Sequence, residues 1–168
     1  MPNDVGSHYL TTVLAEFRRY KQLGEGAMEQ ATDDDLFVAL DEEANSIAVI
    51  VKHLAGNLRS RWTDFLTTDG EKPDRDRDAE FVMEPGATRA TVLAWWEDGW
   101  RRLFAALESL GPDDLLRTVA IRGEPHSVVR AIERALAHAA YHVGQIVLLA
   151  KHRRGAAWRS LSIPKRRT

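Results

Sequence analysis

The chain has 168 residues, 44% hydrophobic and 29% charged, with a formal charge of −2. That is one domain's worth of protein, long enough to bury its own core, and a charge balance that argues against a dedicated nucleic-acid binder. It contains no cysteine, which excludes disulfides, iron–sulfur clusters, thiolate zinc fingers and cysteine nucleophiles.

The opening MPNDVGSHYL is polar and unlike a signal peptide, and no apolar run approaches the roughly 20 residues of a bilayer span. The expectation is a soluble, cytoplasmic protein with no membrane partner. The first helical segment runs from about Val5 to Met28. Tyr9, Leu10, Val13, Leu14, Phe17, Tyr20 and Leu23 recur at spacings of three and four, and Ser7 is the expected cap. Thr32 caps a short helical turn ending near Leu40. The second long segment spans about Asp41 to Leu66, with Asp41, Glu42 and Glu43 in its first turn, where the helix dipole favours negative charge. Its stripe is Ile47, Ile50, Val51, Leu54, Leu58, Trp62 and Phe65.

Residues Thr67 to Ala87 show no helical pattern, only glycine, proline and alternating charge. A helix of about 21 residues is roughly 32 Å long, and twenty extended residues reach roughly 66 Å. The segment therefore reads as a crossover that carries the chain back along a bundle. The third segment runs from Thr88, its cap, to Leu110, and Gly111-Pro112 ends it. Its Trp96 and Trp100 share a core face, with a substrate-pocket lining as the functional alternative. Trp95 is expected at a surface or interface. A turn over Pro112–Leu116, a strand-like Thr118–Ile121 and a turn at Gly123-Glu124-Pro125 follow. The fourth segment, Ser127 to His152, is apolar almost all round, as expected of a helix deep in a bundle, and Gly155 stops it. The fold class is all-α, a four-helix bundle over residues 1–155. Residues 156–168 form a basic C-terminal tail.

Three of the six histidines lie in apolar helical segments. His138 and His142 are four apart, so both rings share one helix face and can reach one metal ion. Two histidines bonded to neighbouring side chains would give the same pattern. His53 lies midway along the second segment, where a core histidine bonded to a carbonyl is the plain alternative. The combination of one central histidine on one helix and two on another is what points to a metal site in a bundle core. Three imidazoles leave a coordination position open, as in catalytic rather than structural sites. A bound ion would acidify water toward a pKa of about 7 or activate a thiol. Asn57, Gln145 and Tyr141 are candidate outer-shell or pocket groups, Tyr141 being rotated off the His138–His142 face. His8, His126 and His152 rank as solvated.

The run His138-Ala-Ala-Tyr-His142-Val-Gly-Gln145 resembles the signature of the DinB-like superfamily, which includes the YfiT-like metal-dependent hydrolases. The stretch SIAVIVKHLAGNLRSRWTDFLTTDGEKPDRDRD, Ser46 to Asp78, is similar to an uncharacterised branch of it. The resemblance implies an up-down-down-up bundle and a divalent ion, zinc or nickel, on His53, His138 and His142. It also implies a homodimer, and a small-molecule substrate handled by hydrolysis or by S-transfer with a low-molecular-weight thiol. No carboxylate general base aligns with the three histidines. In the resembling branch the 69–78 loop recurs and is expected to fold over the open end of the site, with Arg75 and Arg77 binding an anionic substrate. The rival reading is a non-enzymatic dimeric bundle or stress-related binding module with structural or vestigial histidines. A further one is a nucleic-acid accessory protein acting through the basic tail, which carries too few aromatics for single-strand binding.

Overall fold

A computed structural model describes residues 4–164. The chain is mostly helical: α1 is Val5–Gln30, α2 Asp33–Phe37, α3 Ile47–Trp62, α4 Arg89–Glu108 and α5 Val128–Arg154. A two-stranded antiparallel sheet, β1 Thr118–Ile121 and β2 Glu124–Ser127, precedes α5. Of the four long helices, α1 packs on α4 and α5, and α3 packs on the same two. The core between them holds Phe17, Met28, Leu54, Leu58, Trp96, Trp100, Leu103, Ile132 and Ile146, all buried. No described helix is long and apolar enough to cross a membrane.

Local hydrogen bonds move several helix ends from their expected places. Asp4, not Ser7, caps α1: its carboxylate accepts from the backbone N–H of Gly6 and Ser7 and from the Ser7 hydroxyl, and a carboxylate also suits the positive end of the dipole. α3 starts at Ile47 rather than Asp41. The Asp41 side chain accepts from the N–H groups of Glu43 and Ala44, and this local turn displaces the helix. Ser46 is the actual cap. α3 ends at Trp62 rather than Leu66 because Asp64 adopts a φ of 47°. Thr32 and Thr88 cap their helices as expected, and Ser127 caps α5.

The turn expected at Gly123-Glu124-Pro125 lies one residue earlier. Arg122 and Gly123 both have positive φ, 58° and 75°, the pairing of a tight hairpin turn. Glu124 and Pro125 belong to β2, so a small sheet accompanies the helices. α5 is less enclosed than its composition implies: Tyr141 and Leu148 are 63% and 64% exposed.

The long connection is packed rather than solvated. The Asp69 carboxylate accepts from the N–H groups of Glu71, Arg122 and Gly123, and Gly70 N–H donates to Ala120 O at 2.8 Å. These bonds pin the start of the connection to the hairpin. Further on, Lys52 Nζ of α3 donates to Ala79 O and Val82 O around a 3-10 turn, Ala79–Phe81. Part of the basic tail packs too: Gln30 bonds the backbone of Arg159. Lys165, Arg166 and Arg167 lie outside the described residues.

Gly99 on α4 sets how closely that helix meets α3, since a Cβ there would sit 2.9 Å from Ala55 Cα. Gly144 on α5 has open space around it. Gly99→Ala should therefore lower stability by about 1–3 kcal/mol through overpacking. Gly144→Ala should raise it by up to about 1 kcal/mol through helix propensity. Denaturant unfolding of the two variants checks the opposite signs.

Candidate metal centre

The buried stripe of α3 carries His53 inward among Ile50, Val51 and Leu54. On α5, His138 and His142 flank the buried Ala139. The two helices thus place three imidazoles against one another. His138 Nε2 lies 3.3 Å from His53 Nε2 and 3.0 Å from His142 Nε2. One ligand atom from each residue falls within 4.8 Å of the others. Nitrogens bound to one tetrahedral zinc at about 2.0–2.1 Å would lie roughly 3.3–3.4 Å apart; the two separations made by His138 lie near that spacing, and the third is within 4.8 Å.

Two of the rings are fixed from behind. His53 Nδ1–H donates to Glu80 Oε2 at 2.9 Å, and Phe81 stacks on the ring at 4.7 Å. Glu80 is gripped by the Arg75 guanidinium, Nε to Oε1 at 2.8 Å and Nη2 to Oε2 at 2.9 Å. Glu71 links Arg75 to Arg61. The carboxyl of Glu80 lies against Gly56 of α3, where a Cβ would collide with it. Burial pushes the Glu80 carboxyl's pKa up, but hydrogen bonds from His53 and Arg75 and the Arg75 charge outweigh it, so the group stays below the usual range and is a carboxylate. On the other side, His142 Nδ1–H donates to Gln145 Oε1 at 2.8 Å.

This bonding decides what the cluster suits. Burial, then the neighbouring His142 and His53, push the His138 pKa down to about 3, so its ring is neutral near pH 7. Burial also lowers that of His142, against the opposing bond to Gln145. With their Nδ1 protons turned toward Glu80 and Gln145, His53 and His142 aim Nε2 lone pairs at the same point. His138 can place at most one proton between them, and doing so leaves its buried Nδ1 without a partner. A cation among the three Nε2 atoms would take all three lone pairs at once, with His138 Nδ1 unpartnered in either case, so the donor set fits a divalent metal with imidazole ligands.

The remaining expected site residues divide. Gln145 accepts the hydrogen bond from His142 Nδ1–H. Asn57, one turn beyond His53, lines a cavity of about 350 Å³ that opens beside His138. Tyr141 meets the His142 ring edge-on at 4.9 Å but points to solvent, outside the cluster. The 69–78 loop does not close over the open end. It packs behind His53 and touches the cavity only at Gly70. Arg75 is not available to a substrate: its side chain is 2% exposed and committed to Glu80 and Glu71. Arg77 lies over the Phe81 ring instead. Trp96 and Trp100 are buried in the core, while the aromatics that do line the cavity are Trp62 and Phe65.

A carboxylate that the sequence does not single out joins the histidines. Glu80 is 27 residues from His53 in a segment without periodicity, so no spacing rule finds it. The available signal was Phe81-Val82-Met83, the apolar run in an otherwise polar connection. Its bonds to His53 and Arg75 make Glu80 a positioning residue and leave it no freedom to act as a general base.

Outer-shell carboxylates on metal-binding histidines typically contribute 10–100-fold in metal affinity. Glu80→Ala should weaken zinc or nickel binding by about that factor. Gly56→Ala, which displaces the carboxyl without removing it, should weaken binding in the same direction. Competition titration against a chromophoric chelator reads both, and unchanged affinity in both variants would contradict the positioning role.

No curated protein matches the chain. A family model described as "Protein of unknown function (DUF1572)" matches residues 4–167, almost the whole sequence and every residue of the histidine cluster. The chain belongs to that family.

Proposed function

We propose that this protein is a divalent-metal-dependent enzyme acting on a small molecule at the three-histidine centre, with zinc or nickel as the ion. The approach of one imidazole nitrogen from each of three histidines to within 4.8 Å of the others carries the reading. Bound there, the ion supplies Lewis acidity to a water or thiol at the open position. His53, His138 and His142 hold it, and Glu80 and Gln145 fix the planes of two of the rings. The cavity beside His138 admits a small molecule to the same centre.

The likeness of His138 to Gln145 to the DinB-like signature supports this reading and extends it to hydrolysis or thiol-dependent S-transfer. The same likeness underlies a four-helix, up-down-down-up arrangement. In support, α3 and α5 run in opposite directions past the cluster: His53 meets His138 and His142, while Arg61 shares the cavity with Arg130 and Arg134. A homodimer is part of the reading. The exposed face of α5 with Ala137, Tyr141, Gly144 and Leu148 offers a second copy an apolar surface.

Metal analysis of untagged protein should give about one zinc or nickel per chain, with a sharp loss in His138→Ala and His142→Ala. Absence of stoichiometric metal, together with unaltered stability of both variants, would favour the non-enzymatic binding module. Where metal is present, a screen of thiol co-substrates separates transferase from hydrolase.

A further inference from the structure

The cavity beside His138 has a chemical polarity that the metal reading does not use. On α5, Arg130, Arg134, His138 and His142 follow one another at intervals of four, so they line one face of the helix. On α3, His53, Asn57 and Arg61 do the same. Because the helices run in opposite directions, both lines start at the histidine cluster and end at arginines. Apolar walls lie between: Trp62 and Phe65, whose rings are 4.5 Å apart, together with Ile121, Ala131 and Ala135.

The arginines are not equally free. Arg61 is paired with Glu71 at 2.9 Å. Arg130 has Glu133 at 3.9 Å. Arg134 has no carboxylate within salt-bridge distance among the described residues, and its side-chain partner is the ring of His126. It therefore presents an uncompensated guanidinium to the cavity, one helical turn, or about 6 Å of rise, from His138. A guanidinium binds a carboxylate in bidentate fashion, and low-dielectric walls strengthen the pair. The volume of about 350 Å³ lies at the small end of ligand sites, roughly 300–1,000 Å³, which suits a small organic acid and excludes a polymer.

We propose that the cavity is the subsite for a small organic carboxylate with a compact apolar body, its acid group on Arg134 and its other end at the three-histidine centre. The second half of that statement rests on the metal reading; the acid-binding half does not. Asn57 and the Trp62–Phe65 wall hold the body between the two ends. The ligand is thus bifunctional, with its acid group at one end and its reacting group at the other.

The test uses two probes of equal shape, 3-phenylpropionate and 3-phenylpropionamide, titrated into chelator-treated and metal-loaded protein. Binding is followed by calorimetry and by the imidazole ¹⁵N signal of His138. The acid should bind about tenfold or more tightly than the amide in both preparations, and should shift the His138 signal. Arg134→Gln, an exposed substitution, should erase the preference without altering the melting temperature. Equal affinity for the two probes would overturn the proposal, as would a preference that survives Arg134→Gln or failure of both probes to bind. Acid preference in a protein that takes up no metal would support this subsite while contradicting the metal reading, so the two fail separately.

Discussion

Three imidazole nitrogens face one another in the interior with too few protons to satisfy them. Glu80 takes the Nδ1 proton of His53 and Gln145 that of His142, so the inward atoms of both rings are acceptors. Burial keeps His138 from resolving the conflict by taking a second proton. Buried polar groups left this way cost stability, and the arrangement persists only because the two helices and the connection behind them hold it. A divalent cation held among the three Nε2 atoms would turn this cost into binding energy. The same shortage of protons ties the fold to the proposed chemistry.

The connection between α3 and α4 does much of that assembly. Asp69 fastens its start to the β-hairpin, Lys52 fastens the 3-10 turn to α3, and Arg75 and Glu80 transmit the constraint to His53. Gly56 leaves the space in which the Glu80 carboxyl lies. The chain of contacts runs from a loop aspartate to a ring nitrogen through partners that are almost all charged or backbone groups. Each buried charge in it is paired, as it must be: removing one partner leaves the other as an uncompensated ion.

What the sequence discloses follows from how local the physics is. The interval of four between His138 and His142 places both on one face of any helix, and the long helices follow from periodicity. His53 is joined to them in the sequence by its central place on an apolar helix and by the resemblance, not by spacing, because nothing in spacing tells which face of α3 meets which face of α5. Helix ends were misplaced where short side chains compete with the helix for backbone protons, as Asp41 does ahead of Ser46. Arg75 reads in the sequence as a substrate-binding cation because its alternating-charge surroundings suggest an accessible loop. Its burial depends on Glu80 and Glu71, which approach it only once the loop has folded onto α3. Arg134 was overlooked for the converse reason: its meaning lies in having no carboxylate nearby, and an unpaired charge is a property of the assembled structure.

The most direct test of the metal account is the X-ray absorption spectrum of zinc- or nickel-loaded protein at the metal edge. The account predicts a scattering pattern of three imidazole rings plus at least one light, exchangeable ligand that changes when a small thiol is added. A pattern with fewer than two imidazoles, or one dominated by carboxylate oxygen, would place the ion elsewhere and contradict the convergence of His53, His138 and His142 on a metal.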